Sequence, residues 1–318
     1  MEDDIISVLK EAKGGYVSGE DFSKRLGVTR ASIWKHMESL RETGYEIEAQ
    51  PHLGYRLIGV PDKLLPHEIT WGLKTKILGK KVYAYQKTDS TNNKAYELAE
   101  HGAAEGAVIV AEEQAKGKGR MGRSWASPKG GIYLSIILRP RLMPTEVSKL
   151  TLVAAVSVAQ TLRGHTGVRS LIKWPNDILI GGHKVCGILT ELKAEQDMTS
   201  FVVIGIGINV NTRSSLLPKN ATSLAKETDK EWSRVDLVRE LLVNLESHYI
   251  LFQKGGFGSI IKEWKDLSDI LGRHVKVQDR TRTIEGQAID VDEGGALVVR
   301  LDSGLNERIL AGDVTLLR

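Results

Sequence analysis

Lys116-Gly117-Lys118-Gly119-Arg120-Met121-Gly122-Arg123 places four cations and three glycines in eight residues. Glycine permits positive φ and close approach of backbone to a ligand. Clustered cations repel one another unless an anion sits among them. The pattern therefore reads as a loop that grips a phosphate or carboxylate, the alternative being a merely solvated loop. With no acidic residue among the four cations, self-repulsion is expected to hold the empty loop open and mobile. Gly117 to Ser124 spells G-x-x-x-x-G-R-S, one residue away from a P-loop. The mismatch falls on the phosphate-gripping lysine, and Trp125-Ala126-Ser127-Pro128-Lys129-Gly130-Gly131 does not open the helix a P-loop requires.

Two further clusters carry chemistry. Asp89-Ser90-Thr91-Asn92-Asn93 is a dense run of short polar side chains at the start of a helix. One such residue suffices as an N-cap, so the surplus suggests donors and acceptors aimed at a polar ligand. Lys173-Trp174-Pro175-Asn176-Asp177 packs a cation, an aromatic, an amide and a carboxylate around a proline, with a structural turn as the bland alternative. Gly181-Gly182 marks a hairpin turn, and Lys184 opens the returning strand, where a lysine is ordinarily just solvated. Gly205-Ile206-Gly207-Ile208-Asn209 lacks the third glycine of a dinucleotide fingerprint.

The elements that must position these residues fall into three groups. Residues 1 to about 60 read as helices with a hairpin. Ile5, Val8, Leu9 and Ala12 make an apolar stripe, Ser18 caps Gly19 to Leu26, and Thr29 caps Arg30 to Glu42, with Ile33, Met37 and Leu40 inward. This is a helix-turn-helix pattern followed by a wing of strands Tyr45 to Ala49 and Tyr55 to Ile58. Arg30, Ser32, Lys35 and His36 face outward, towards bases and phosphates if the unit binds DNA. A protein-interaction module is the alternative, because this unit carries 8 Lys+Arg against 10 Asp+Glu, a net of −2. Val60-Pro61 to Pro66 reads as a proline-stiffened linker.

A mixed α/β region follows, with strands at Lys81 to Lys87, Ala107 to Ala111, Ile132 to Leu138, Leu171-Ile172, Ile178 to Ile180 and Phe201 to Ile208. Helices are expected from Glu146 to Leu162 and after the Ser233-Arg234-Val235-Asp236 cap. From Leu271 onward, His274 to Val277, Thr281 to Val291, Ala296 to Leu301 and Arg308 to Leu310 read as the short strands of a small β-barrel.

Composition sets outer bounds. The chain has 318 residues, 41% hydrophobic and 26% charged, with net charge +4 and one cysteine. That is an ordinary globular composition, with no disulfide framework and no cysteine metal site. Cys186, in Val185-Cys186-Gly187-Ile188-Leu189, reads as a small core residue, and the eight histidines show no ligand pairing. Met1-Glu2-Asp3-Asp4 lacks signal-peptide features and no apolar run approaches membrane length, so the cytoplasm is the expected compartment.

Taken in order, these motifs resemble the bifunctional biotin–protein ligases that also act as biotin operon repressors. The resemblance runs from Thr29-Arg30-Ala31-Ser32-Ile33-Trp34-Lys35-His36 through Asp89 to Asn92, Gln114 with the 117–123 loop, Lys173 to Asp177, Lys184 with Gly187, and Gly205 to Asn209, into the C-terminal β-module. Lys118 departs from it, standing where many relatives carry arginine; the charge stays but the planar fork is lost.

The resemblance implies an α+β multidomain chain: a winged helix-turn-helix at 1–60, a linker at 61–66, a biotin/lipoate ligase-like catalytic domain at 67–270 and an SH3-like β-barrel at 271–318. It implies that biotin's carboxylate attacks the α-phosphate of ATP, and that an acceptor lysine on a biotin carboxyl carrier domain then takes the biotinyl group and releases AMP. Arg120, Lys184 and Lys173 would supply fixed charge, with Mg²⁺ arriving on ATP rather than in a protein metal site. Ser90, Thr91, Asn92, Gln114, Lys118, Gly119, Arg120, Lys184 and Gly187 would bind biotin. Gly117, Arg123, Trp125, Asn176, Asp177 and Asn209 would take the ATP and adenylate side. Ser18, Thr29, Arg30, Ser32 and Lys35 would contact operator DNA as a homodimer formed when adenylate is bound. A lipoate ligase-like enzyme and a non-catalytic ligand-binding repressor are the two alternatives.

Overall fold

The computed structural model describes residues 1–195, 197–279 and 282–317. The chain divides into two compact units, Met1–Lys63 and Leu64–Arg318.

In the first unit, α1 (Glu2–Glu11) buries Ile5, Ile6, Val8 and Leu9. α2 (Gly19–Leu26) starts at Ser18, whose hydroxyl accepts from the Asp21 N–H, and ends at Gly27 with φ +68°. α3 (Arg30–Glu42) starts at Thr29, which accepts from the Ser32 N–H, and buries Ile33, Met37 and Leu40. β1 (Glu46–Gln50) and β2 (Gly54–Gly59) pair antiparallel as the wing. The wing closes on the helices through a bridge between Val17 and Tyr55. Gly54, at φ +107°, is required there because a Cβ would overlap the Val17 carbonyl.

The expected linker is shorter than its prolines suggest. Leu64 is buried and its N–H donates to Glu112 Oε1 at 2.9 Å. Pro66, at an N-terminal helical position where it costs nothing, opens α4 (Pro66–Thr70). Residues 64–66 thus belong to the second unit.

That unit is built on β3 (Val82–Thr88), α5 (Thr91–Glu100), β4 (Val108–Gln114), β5 (Ile132–Leu138), α6 (Ser148–Thr166), β6 (Ser170–Lys173), β7 (Asp177–Ile180), β8 (His183–Glu195), β9 (Met198–Ile208), α7 (Leu224–Thr228), α8 (Arg234–Gln253) and α9 (Phe257–Asp266). The strands form one sheet in the order β3-β4-β5-β9-β8-β7-β6, with only β3 and β4 parallel. Side chains alternate between its faces. Leu134 and Ile136 of β5 and Ile204, Ile206 and Ile208 of β9 join a core with α6, α8 and α9. On the other face Ile109, Ile137, Phe201 and Val203 pack under Ala95 and Ala99 of α5. Further along that face β9 presents Gly205 and Gly207, and β8 presents Gly187 beside them. With no side chains there, the sheet is left as a floor rather than a core.

β10 (His274–Gln278), β11 (Thr283–Val291), β12 (Leu297–Arg300), β13 (Asn306–Ile309) and β14 (Asp313–Leu316) form a separate antiparallel sheet in the order β13-β12-β11-β10-β14. Its Val275, Val277, Ala288, Leu297 and Val314 are continuous with the central core. Thr281, expected to open a strand here, lies outside the described residues. β14 and α9 were not anticipated: β14 is a four-residue edge strand, and Gly255-Gly256 and Gly258 obscure the start of α9.

Candidate active site

The glycine floor underlies a cavity that gathers most of the expected site residues: Ser90, Thr91, Asn92, Gln114, Lys118, Gly119, Arg120, Arg123, Trp125, Asn176, Asp177, Lys184 and Gly187. At one end, here called the amide end, neutral polar groups are buried and mutually bonded. The Thr91 N–H and hydroxyl donate to Gln114 Oε1 at 2.7 and 3.1 Å. Gln114 Nε2 donates to Ser127 Oγ at 2.8 Å, and Ser127 Oγ to the Trp125 carbonyl at 3.1 Å. Ser135 Oγ lies 2.8 Å from Thr91 Oγ1 and 2.7 Å from Asn92 Oδ1. Its single hydrogen cannot fill both contacts, so lone pairs remain for an incoming donor. Ser90 occupies the N-cap position of α5 without a side-chain cap bond. The cap that was one reading of this run is therefore not made by Ser90; the cluster faces inward instead.

The opposite, cation end is assembled from distant parts of the chain. Arg120 Nη1 donates to Asn176 Oδ1 at 3.1 Å and to the Gly312 carbonyl at 3.2 Å, with Asp313 Oδ1 at 3.9 Å. Burial pulls its pKa below the usual guanidinium range, while Asp313 and Asp177 oppose that shift. Arg123 Nη2 pairs with Asp313 at 2.7 Å. Lys184 Nζ lies 2.6 Å from Asp177 Oδ1 and 5.3 Å from the centroid of the Trp125 ring. The Lys184 backbone is also held: its N–H donates to Asn220 O and its carbonyl accepts from the Thr222 N–H.

Trp125 explains the glycines. A Cβ at Gly207 would stand 2.5 Å from its indole Nε1, and one at Gly187 would stand 3.0 Å from its ring. A Cβ at Gly205 would overlap Asn92 Oδ1. Gly205 and Gly207 make room for an amide and an indole, not for a dinucleotide.

Several expectations require correction. The 116–123 loop is not left open by its charges. Lys118 Nζ lies 3.2 Å from Glu191 Oε1, and Asp313 serves Arg120 and Arg123, so the neutralising acids come from β8 and β14. The loop closes on itself through Gly119 N–H to Arg123 O and Trp125 N–H to Gly117 O. Lys173 does not line the cavity; it lines a neighbouring concavity with Arg169 and Arg273, and that concavity meets the cavity at Asp177 and Lys184. Gly117 packs against the Trp125 carbonyl and Gln114 instead of lining the cavity. Asn209 is buried behind it, with Nδ2 on the Thr222 carbonyl and Oδ1 lacking a partner among the described residues.

In the first unit Ser18 and Thr29 are occupied as caps, Arg30 lies 3.4 Å from Glu20, and Lys35 is exposed. Sequence reasoning missed Ser135, Tyr133, Glu191 and Asp313. Only Ser135 left a signal, as the one serine in the apolar Ile-Tyr-Leu-Ser-Ile-Ile-Leu run of β5.

Three family descriptions match the chain in succession: an HTH domain over residues 2–56, the biotin/lipoate A/B protein ligase family over 83–209, and the biotin protein ligase C-terminal domain over 270–317. The bifunctional ligase/repressor BirA of Bacillus subtilis (strain 168) is 38% identical across 99% of this chain and 98% of its own length. The chain belongs to the bifunctional ligase/repressor family. A member from Escherichia coli (strain K12) is 32% identical over 98% of this chain and 96% of its own. A biotin protein ligase from Aquifex aeolicus, solved in complex with biotin and ATP, superposes with a TM-score of 0.65 at 31% identity, covering 75% of this chain and 99% of that one. The ligase match spans β3 to Asn209, which includes every cavity residue except Asp313.

Proposed function

We propose that this family member joins biotin to ATP, transfers the biotinyl group to a lysine of a biotin carboxyl carrier domain, and represses biotin genes when its acceptor is scarce. The observation that carries the reading is the union, in one cavity, of the Thr91–Asn92–Gln114 amide end, backed by the buried Ser135, with the Arg120–Lys184 cation end. A ureido ring offers two N–H donors and a carbonyl, matching the incompletely filled oxygens of Thr91 and Asn92. A dithiolane ring offers no such donors, which favours biotin over lipoate.

In the first step, the substrate carboxylate attacks the α-phosphate and pyrophosphate departs. Attack of an anion on a polyanion needs preorganised positive charge more than acid–base groups. Arg120, anchored by Asn176 and Gly312, and Lys184, held by Asp177 and the 220–222 backbone, are positioned to supply it. Asn209, buried behind the cavity, holds the Thr222 carbonyl and so supports the 220–222 backbone that fixes Lys184. Mg²⁺ is assigned to the nucleotide phosphates, as a hard cation with oxygen ligands. In the second step the acceptor's amine attacks the mixed anhydride and AMP leaves.

Repression follows if two adenylate-bound copies pair and present Lys35 and Arg30 to two half-sites. Incubation with ATP, Mg²⁺ and biotin, followed by mass detection of the adenylate, tests the ligase reading. Pyrophosphate release without adenylate, or adenylate formed from lipoate but not biotin, overturns it.

A further inference from the structure

Glu191 sits on β8 two residues beyond Leu189, on the face that carries Gly187, and belongs to no part of the function argued so far. A carboxylate beside a site for anionic ligands raises the energy of those ligands. Its placement therefore needs another cause. The two oxygens are divided between two partners. Oε2 accepts from Asn92 Nδ2 at 2.7 Å, and Oε1 pairs with Lys118 Nζ at 3.2 Å.

The first contact fixes an orientation. An ionised carboxylate only accepts, so the Asn92 amide must turn Nδ2 towards Glu191, with the Leu189 carbonyl at 3.4 Å on the same side. Oδ1 then faces Ser135, and the donor direction of the amide end is set. The second contact ties down Lys118, two residues before Arg120. The other end of the same loop is tied through Ser127 and the Trp125 carbonyl to Gln114. Both ends of the loop are thus fastened to one hydrogen-bonded circuit that runs through the amide end.

We propose that Glu191 is a positioning residue that couples the amide end to loop closure: it orients Asn92 for ring recognition and clamps Lys118 so that Arg120 stays over the anion. This rests on the ligase reading above. Glu191 touches neither reacting atoms nor phosphate, so its loss loosens the site without removing a catalytic group. The Lys118–Glu191 pair has side chains 41% and 31% exposed, so a modest effect is expected, a two- to fivefold change of about the size exposed ion pairs produce.

The experiment uses the full chain. Wild type is first shown to form the adenylate; failure at that point defeats the ligase reading but leaves the loop tie open to measurement by trypsin, which cuts at Lys116, Lys118, Arg120 and Arg123. Glu191→Gln retains an acceptor for Asn92 and loses the ion pair with Lys118. It should be cleaved in the loop about two- to fivefold faster than wild type and release adenylate faster by a similar factor. Glu191→Ala also frees Asn92, so its KM for biotin should rise about tenfold with kcat changed less.

The decisive arm is a double-mutant cycle on adenylate release. Lys118→Met and Glu191→Gln combined should be no worse than Lys118→Met alone. Additive effects, or loop cleavage and adenylate release in Glu191→Gln equal to wild type, overturn the proposal.

Discussion

At the amide end of the cavity, Ser135, Thr91 and Asn92 are at most 4% exposed, and their partners are neutral neighbours from β4, β5 and the start of α5, with the single carboxylate of Glu191 on the Asn92 amide. At the cation end, Lys118, Arg120, Arg123 and Lys184 are partly open to solvent and are each balanced by a carboxylate or carbonyl from elsewhere in the chain. On the proposed reading, the first arrangement selects by unsatisfied lone pairs, and a wrong ring leaves them empty at a cost. The second would store positive charge against internal acids that a ligand's phosphate or carboxylate replaces. Selectivity and catalytic charge would then rest on different residues, joined through Glu191, and substitutions at the two ends should fail in different ways.

Lys184→Ala should break the cation end most severely. Loss of one preorganised charge contact costs about 2.7–4 kcal/mol, so adenylate synthesis should fall by roughly 10²–10³ in kcat. Steady-state pyrophosphate release reports this, and a rate within threefold of wild type would sink the assignment.

Glu246→Gln sharpens the comparison by disturbing neither end. Glu246 accepts from the N–H groups of Lys76, Ile77 and Leu78 at 2.5, 2.6 and 2.8 Å. Burial alone would raise its pKa, but the three N–H bonds outweigh it and hold the carboxyl below its ordinary value. The folded pKa is depressed, so its stabilisation is present above the unfolded carboxylate pKa and is lost as pH falls through the folded one. The variant should lose about 2–3 kcal/mol at neutral pH. That deficit should shrink in acid, read as converging thermal midpoints, while KM values stay near wild type.

Gly205→Ala tests the amide end. The added methyl collides with Asn92 Oδ1. Overpacking costs about 1–3 kcal/mol, and the result should appear as a higher KM for biotin with KM for ATP little changed. Equal rises in both would mean that the two ends are not separable.

Asp313→Asn should give the smallest effect. It leaves Arg123, whose side chain is 58% exposed, without its charged partner, and exposed pairs contribute about 0.2–1 kcal/mol. Adenylate release should accelerate no more than about fivefold, and the gap from wild type should close at high salt as the pair is screened. A larger, salt-independent loss would place Asp313 in the chemistry itself.

Much of this was legible in the sequence because it is local. Ser18, Thr29 and Ser233 accept from the N–H groups expected of N-caps, since capping spans only three residues. α2 falls between its Ser18 cap and Gly27, α3 where its apolar spacing put it, and β5 on its continuous apolar run, because each signal lies within the element itself. The dense polar run at Ser90 to Asn92 and the cationic loop marked the two ends of the cavity before any fold was known. What the sequence could not decide is whatever depends on contacts between remote segments. Self-repulsion of the loop was argued from its own eight residues, yet Glu191 and Asp313, about 70 and 190 positions further on, neutralise it. Lys173 and Lys184 look alike in sequence; only the fold shows that Lys184 stands between two concavities and lines the cavity, while Lys173 lines the neighbouring one alone. Spacing along the chain determines periodicity and caps, whereas electrostatic balance and side-chain direction are set by what the fold brings within a few ångströms.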